Sequence, residues 1–333
     1  MRLPPQRLSP PPPPCSVAMI RSESTKVFAK ETLLKGQPAQ LECVEIGGQT
    51  FSVSRGLLTI VRLEDEWFKE VHDPAAVLEV LRADRAVGAD LFSFCQRLPN
   101  TEPRFPYPYE PESIAAVQIQ TYDEWWAKQI EGTTRNQIRK SRKVGVEVRE
   151  CAYDDEFVRG MTSVFNETPI RQGRRFWHYG KDFETVKRQF SRNLFREDLI
   201  GAYYQGELIG FAMLGRSEHF ADLGQIISKV EHRDKSVTSA LIAKAVELCC
   251  ARQIPHLVYA FWTEDSLGHF KRRLGFREAR LPRYFVPLTA KGKLAMRTGA
   301  HRGLKAMLPV KVVASLKRAR NAWNMRQERS ERQ

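Results

Sequence analysis

The sequence predicts an α/β protein built on a mixed sheet with helices on its faces. Strand-like apolar alternation and helix-like periodic runs succeed one another along most of the 333 residues. The stretch "LIGAYYQGELIGFAMLGR", 199–216, reads as a hairpin whose two strands meet at Gln205-Gly206. A strand over 220–230, a helix over 236–252 and a strand over 256–262 then make a plain βαβ unit, which adds a parallel pair to that sheet.

The remaining elements follow in chain order. Residues 1–25 hold the run "SPPPPPC", which has no means of burying surface and is expected to be disordered. They lack the apolar core of a signal peptide, and Met19 follows the prolines as an alternative start. Strands are expected over 39–46, 50–53 and 57–62, divided by Gly47-Gly48 and Arg55-Gly56. "DPAAVLEVLRADRA" is a helix with Asp73 as its N-cap, Pro74 in the first turn and Val77, Leu78, Leu81 and Ala86 in one stripe. "ADLFSFCQRL" is a strand, 99–113 a proline-rich extended crossover, and 115–120 a further strand, after which Thr121 opens a helix. The second half brings a basic helix over 135–144, a strand over 146–151, a helix over 154–165, a long loop to Lys181 and a helix over 182–196. Beyond the βαβ unit, a short helix over 266–273 is stopped by Gly275, and short strands are expected over 276–279 and 284–288.

Composition narrows the class. Six cysteines show no CxxC pair and no Cys/His metal spacing, so they read as reduced, buried small hydrophobes of a cytoplasmic protein, and no metal is expected. No apolar run reaches the length of a membrane span. The net charge is +14, and residues 291–333 hold twelve Lys/Arg against two Glu. Such a tail either meets an anionic membrane face or nucleic acid, or is simply solvated. There is no Ser-His-Asp order and no P-loop, so hydrolase and NTPase readings have no support.

One loop stands where phosphates bind. "HRDKSVTSALIAKA" runs from the end of a strand into a helix, and unpaired amides at a helix N-terminus attract anions. Ser236 and Thr238 are small hydroxyl residues, and Arg233 and Lys235 carry charge. The other reading makes Ser236 a plain N-cap.

With these residues in this order, 146–288 resembles the GNAT acyltransferase fold. The family's donor loop, Arg/Gln-x-x-Gly-x-Gly/Ala, aligns with Arg233, Asp234, Lys235, Ser236, Val237 and Thr238, and its later Gly-Phe pair with Gly275-Phe276. Two positions depart from the pattern: the loop glycines are Ser236 and Thr238, and the tyrosine that often serves as general acid is Lys271. "HFKRRLGF" and "TRNQIRKSRKVGVEVRE" resemble the FemAB-like branch, the Fem-type aminoacyl transferases, which carry two GNAT-like lobes. The resemblance implies a leader over 1–25, a degenerate N-terminal GNAT-like lobe over 26–130, a fuller C-terminal lobe over 131–290 and a basic helical tail over 291–333.

It further implies an N-acyltransferase that moves an acyl group from acyl-CoA, acetyl or longer, to an amine of a sugar, lipid or amino-acid acceptor. The donor is expected against Arg233, Asp234, Lys235, Ser236, Val237 and Thr238. The acceptor is expected against Arg171, Arg174, Arg175, Trp177, Tyr179 and Lys181 of the loop, and Asp222 and Gln225 of the third meander strand. Glu167, His178, Asp222 and Gln225 are candidates for the base that takes the ammonium proton and for the donors to the developing oxyanion, His178 having the natural pKa for a base. Lys271 either stabilises an oxyanion, replaces the missing acid or is a solvated helix residue. Two alternatives stand beside this one. In a Fem-type enzyme using aminoacyl-tRNA, the stripe Arg135, Arg139 and Arg142, with Lys140 and Lys143, would track phosphates; its other reading is a solvated face. The second alternative is a non-catalytic GNAT-like binding module.

Overall fold

A computed structural model supplies the fold and describes residues 26–303, apart from 35–36, 85 and 172. The leader and the part of the basic tail over 304–333 lie outside the described residues. The strands and helices are β1 (Val27–Leu34), β2 (Gln37–Ile46), β3 (Gln49–Ser54), β4 (Ile60–Leu63), α1 (Pro74–Ala83), β5 (Leu91–Cys95) and β6 (Tyr109–Gln118). Next come α2 (Tyr122–Glu124), running into a π-helical turn Trp125–Gln129, α3 (Gly132–Lys143), β7 (Glu147–Cys151) and α4 (Asp155–Asn166). They are followed by β8 (Ile170–Arg171), β9 (Arg174–Arg175), α5 (Phe183–Phe190), β10 (Glu197–Tyr204), β11 (Glu207–Arg216) and β12 (Ala221–Ser228). The last are α6 (Val237–Ala251), β13 (His256–Phe261), α7 (Ser266–Arg273), β14 (Arg277–Pro287) and α8 (Ala290–Thr298).

Twelve strands make one mixed sheet in the order β1-β2-β3-β4-β5-β14-β6-β13-β12-β11-β10-β7, while β8 and β9 form a separate ribbon. Only β4–β5 and β12–β13 pair in parallel among the described strands. The mixed sheet with helices on its faces is therefore what the sequence predicts. The two expected lobes share this one sheet, because β14 lies between β5 and β6, and β6 pairs with β13.

Helix α6 is apolar nearly all round and is buried accordingly, packed with α3 on one face of the sheet. Helices α4 and α5 cover the other face over β10 and β11. Gly210 allows close seating of α6: a Cβ there would meet Val237 Cγ1 at 2.8 Å. The α1 cap is as expected, with Asp73 Oδ1 accepting from the Ala75 and Ala76 amides at 2.9 and 3.1 Å, worth about 1 kcal/mol.

Five elements differ from the sequence reading. Strand β1 was not expected; it is an edge strand with Lys30 and Glu31 among its apolar residues, and its alternation is weak. Strand β6 starts inside the proline-rich stretch, where Pro111 stands opposite Pro282 at a pair that needs no amide from either. Pro282 also hides the continuity of β14, which is one strand of 11 residues rather than two short ones. The helix after Asp182 ends at Phe190, and Leu194–Arg196 is a separate 3-10 turn. The helix from Thr121 becomes a π turn that buries Trp125, whose indole donates to Leu274 O at 3.0 Å.

Candidate active site

The site grows from a defect in strand pairing. Strands β12 and β13 are in register only at Ala221–Leu257 and Asp222–Val258. Beyond Asp222 each strand bulges. On β12, Gly224 is the extra residue between Leu223, opposite Leu214, and Gln225, opposite Met213. On β13, the register against β6 slips between Val258 and Phe261, and Ala260 has φ 49°. The two strands part, and Asp222 stands at the point where they separate.

Alternation decides which way Asp222 points. Ala221 and Leu223 join the core beneath α6, so Asp222 turns to the opposite face beside Phe220. The residue is 7% exposed, and burial pushes its carboxyl up to about 7. The Trp67 indole N–H, the Ala260 amide, Arg97 and Lys271 pull the other way. Trp67 and Ala260 act as hydrogen-bond donors toward the carboxyl and Arg97 and Lys271 as charges, although Asp222 Oδ1 and Trp67 Nε1 each lack a partner at close hydrogen-bonding geometry. Oδ2 lies on the Gly224 side, 3.8 Å from where a Cβ would sit on that exposed glycine. A carboxyl that ionises near neutrality suits a general base.

Lys271 reaches the same place from α7. It is 1% exposed and donates to Tyr259 O at 2.6 Å and Phe261 O at 2.7 Å. Burial brings its ammonium down to about 8, against the pull of Asp265 and Asp222. Lys271 therefore holds the carbonyls that the β13 bulge leaves unpaired, and is not a solvated helix residue.

At the open end, Arg233–Lys235 forms a 3-10 turn and Ser236 takes φ 55°, ψ 35°, a left-handed conformation natural to the glycine of the family pattern. The Ser236 side chain caps nothing; the Ser239 and Ala240 amides donate to Ser236 O at 3.1 and 3.3 Å, and the amides of Val237 and Thr238 precede this first acceptor of the helix. Thr238 Oγ1 meets Ser228 Oγ at 3.1 Å, so this hydroxyl ties the helix to β12. Lys235 Nζ lies 4.8 Å over the Tyr204 ring and 3.4 Å from Asp234 Oδ1, while Arg233 is exposed. Amides and cations thus fit a pyrophosphate; a glycine's open approach is missing.

The arginine-aromatic loop divides in two. Its first part joins the donor turn: Glu167 accepts from Arg171 Nη2 and from the Glu231 amide, both at 2.9 Å, and Arg171 also donates to Ser228 O at 2.8 Å. Its second part packs on α4 and α5. His178 is 1% exposed, stacked 4.3 Å from Phe165, with burial first and then Lys181 bringing its imidazole down to about 3. Lys181 Nζ sits 4.0 Å over Trp177 and donates to Gln189 at 2.6 Å. Trp177, Tyr179, Arg174 and Arg175 are exposed, and Gln225 is half-buried at the β12 bulge. The structure thus brings together Glu167, Arg171 and the Arg233 turn, and separately Asp222 and Lys271; it sets His178 in an apolar layer.

In α3, Arg135 Nη1 donates to three carbonyls, Trp126, Ala127 and Ile130, at 2.8–3.3 Å, and Arg139 lies 5.4 Å over Trp126. The helix packs beside the Arg233–Lys235 turn.

Residues 161–276 match the family model described as the acetyltransferase (GNAT) family. This segment has a GNAT-like fold. It contains Asp222, the donor turn and Lys271. The C-terminal domain of a putative lysylphosphatidylglycerol synthetase from Agrobacterium fabrum is similar in structure, with 13% identity, 78% of this chain and 88% of that chain covered, and a TM-score of 0.52. FemX is similar at 12% identity, 81% and 90% coverage and a TM-score of 0.51. At such identities the likeness is one of fold, and it extends beyond the residues that the family model matches. A search of curated proteins finds no match. No helix among the described residues is long and apolar enough to cross a membrane.

Sequence reasoning missed Trp67, Arg97 and the two bulges. An arginine two residues after the apolar strand "LFSFC" was the available signal for Arg97. Bulges leave little trace, though Gly224 within a strand was one.

Proposed function

We propose that the GNAT domain is an N-acyltransferase that moves an acyl group, acetyl or longer, from acyl-CoA to an amine of a sugar, lipid or amino-acid acceptor. The observation that carries this reading is Asp222, a buried carboxyl poised near neutral pH where β12 and β13 separate. The α6 amides, with Arg233 and Lys235, hold the donor's phosphates. Asp222 takes a proton from the acceptor ammonium, the freed amine attacks the acyl carbon, and the carbon–sulfur bond breaks as the second proton lost from nitrogen passes to the departing thiolate. Glu167 and Arg171 fix the donor turn against the acceptor loop, an arrangement suited to holding the two reactants side by side. Binding is tested by thermal shift with acetyl-CoA and longer acyl-CoAs, since a ligand at 100 times its Kd stabilises by about 2.7 kcal/mol. Chemistry is tested by amine-dependent thiol release, which Asp222→Asn should lower by roughly 10²-fold or more. Full activity in Asp222→Asn would overturn the assignment.

A second reading is favoured by one observation: the basic α3 lies beside the donor turn. It makes the donor an aminoacyl-tRNA, whose phosphates would extend from Arg233 across Arg139, Lys140 and Lys143. A charged-tRNA shift that falls steeply with salt, with no response to acyl-CoA, selects this reading.

A further inference from the structure

The GNAT domain does not build the surroundings of Asp222 alone. Residues 65–70 form a turn docked onto β11 and β12 by several independent contacts. Arg196 Nη2 donates to Asp65 Oδ1 at 2.9 Å, and its guanidinium lies 4.0 Å over the Phe68 ring. Phe68 stacks on Phe220 at 6.0 Å and 15°. Gly215 makes the slot for this ring: a Cβ there would fall 2.6 Å from Phe68 Cζ. This docking delivers Trp67, 5.5 Å from Phe261 on β13, with its indole N–H facing Asp222.

Arg97 arrives from the end of β5. Its side chain is 6% exposed, and its guanidinium stacks 4.9 Å over Trp67. It is held by Glu66 O at 2.6 Å and by Glu112 at 3.2 Å, and Glu112 is held in turn by Arg283 at 2.6 Å. Arg97 Nη2, Trp67 Nε1 and Asp222 Oδ1 are all buried without a bonded partner. Trp67 and Arg97 also line a cavity of about 10 Å³, the size of one water molecule, with Phe220, Val258 and Leu281. An unpartnered buried polar group is costly, so three converging from three elements need a reason.

We infer that Trp67 and Arg97 are positioning residues that reach the GNAT domain from the first half of the chain, orient Asp222 and favour its ionised form. This deepens the reading of Asp222 as the base and rests on it. The groups facing Asp222 are Trp67 from the 65–70 turn, Arg97 from the β5 end, the Ala260 amide from β13 and Lys271 from α7; Glu66, Glu112 and Arg283 surround Arg97.

The test is a direct titration. In the full chain carrying 13C at the Asp γ-carbons, the Asp222 resonance is identified by its loss in Asp222→Asn. Its midpoint is expected at about 7 in the native protein. Trp67→Phe keeps the ring but removes the N–H, and should raise the midpoint by roughly half a unit, a twofold loss of ionised carboxylate at pH 7. Phe68→Leu, which removes the ring stacked on Phe220 and leaves Gly215, the ladder partner of Asp222, unchanged, should move it the same way. An unmoved midpoint in both variants, each shown folded by circular dichroism, overturns the inference. If instead the midpoint moves but Asp222→Asn retains amine-dependent thiol release, the positioning stands and the catalytic reading of Asp222 falls.

Discussion

Asp222→Asn should make the protein more stable above neutral pH, and by an amount that grows with pH. The carboxyl rises from 3.8 to about 7 on folding because burial penalises its charge. Three units correspond to about 4 kcal/mol, an upper bound because a structure relaxes around a buried charge. The sign follows from proton uptake: the folded state binds the proton more tightly than the unfolded state, so this group's contribution is fully present below pH 3.8 and is lost as pH rises through 7. Asparagine has nothing to ionise. Urea unfolding of both proteins should therefore show a small difference at pH 4, a widening one to pH 7, and a plateau at pH 8 of up to about 4 kcal/mol in favour of the variant. A difference that stays flat between pH 5 and pH 8 would refute the placement of an ionisable carboxyl in a dry site.

Ser236→Gly should relieve a left-handed non-glycine residue, raise stability by about 0.5–1 kcal/mol and tighten acyl-CoA binding through closer backbone approach; equal or weaker affinity by calorimetry counts against a phosphate site there. His178 is held neutral by burial, with its imidazole at about 3 against an ordinary 6.5, so its contribution is present above pH 6.5 and is lost as pH falls toward 3. His178→Leu should consequently lose less stability than the native protein between pH 7 and pH 4.5 in urea titrations, and identical acid sensitivity would contradict its burial.

The elements legible in the sequence were those with strong local signals. Helix α6 announces itself by length and apolar content, α1 by Asp73 and Pro74, and the β10–β11 hairpin by Gln205-Gly206. The donor turn was legible because it joins a strand to a helix, a purely local relation. The apex was less so. Asp222 was visible only as one polar residue on an apolar strand; its altered acidity comes first from burial in the folded sheet and is opposed by Trp67 and Arg97, more than 100 positions away. His178 shows the converse: its ordinary pKa suggested a base, but Phe165, Phe176 and Phe190 close around the ring, and their convergence is a property of packing.

Strand β14 has a consequence for how the chain must come together. Its neighbours β5 and β6 are made early in synthesis, yet they share no ladder with each other and both wait for 277–287. The first half therefore leaves the ribosome with two unzipped strand edges, and it cannot finish its own layer until the GNAT domain has emerged and sent that strand back. Long-range closures of this kind are slow and leave sticky edges exposed. A chain stopped short of residue 277 would lack the keystone of both halves rather than the last strand of one.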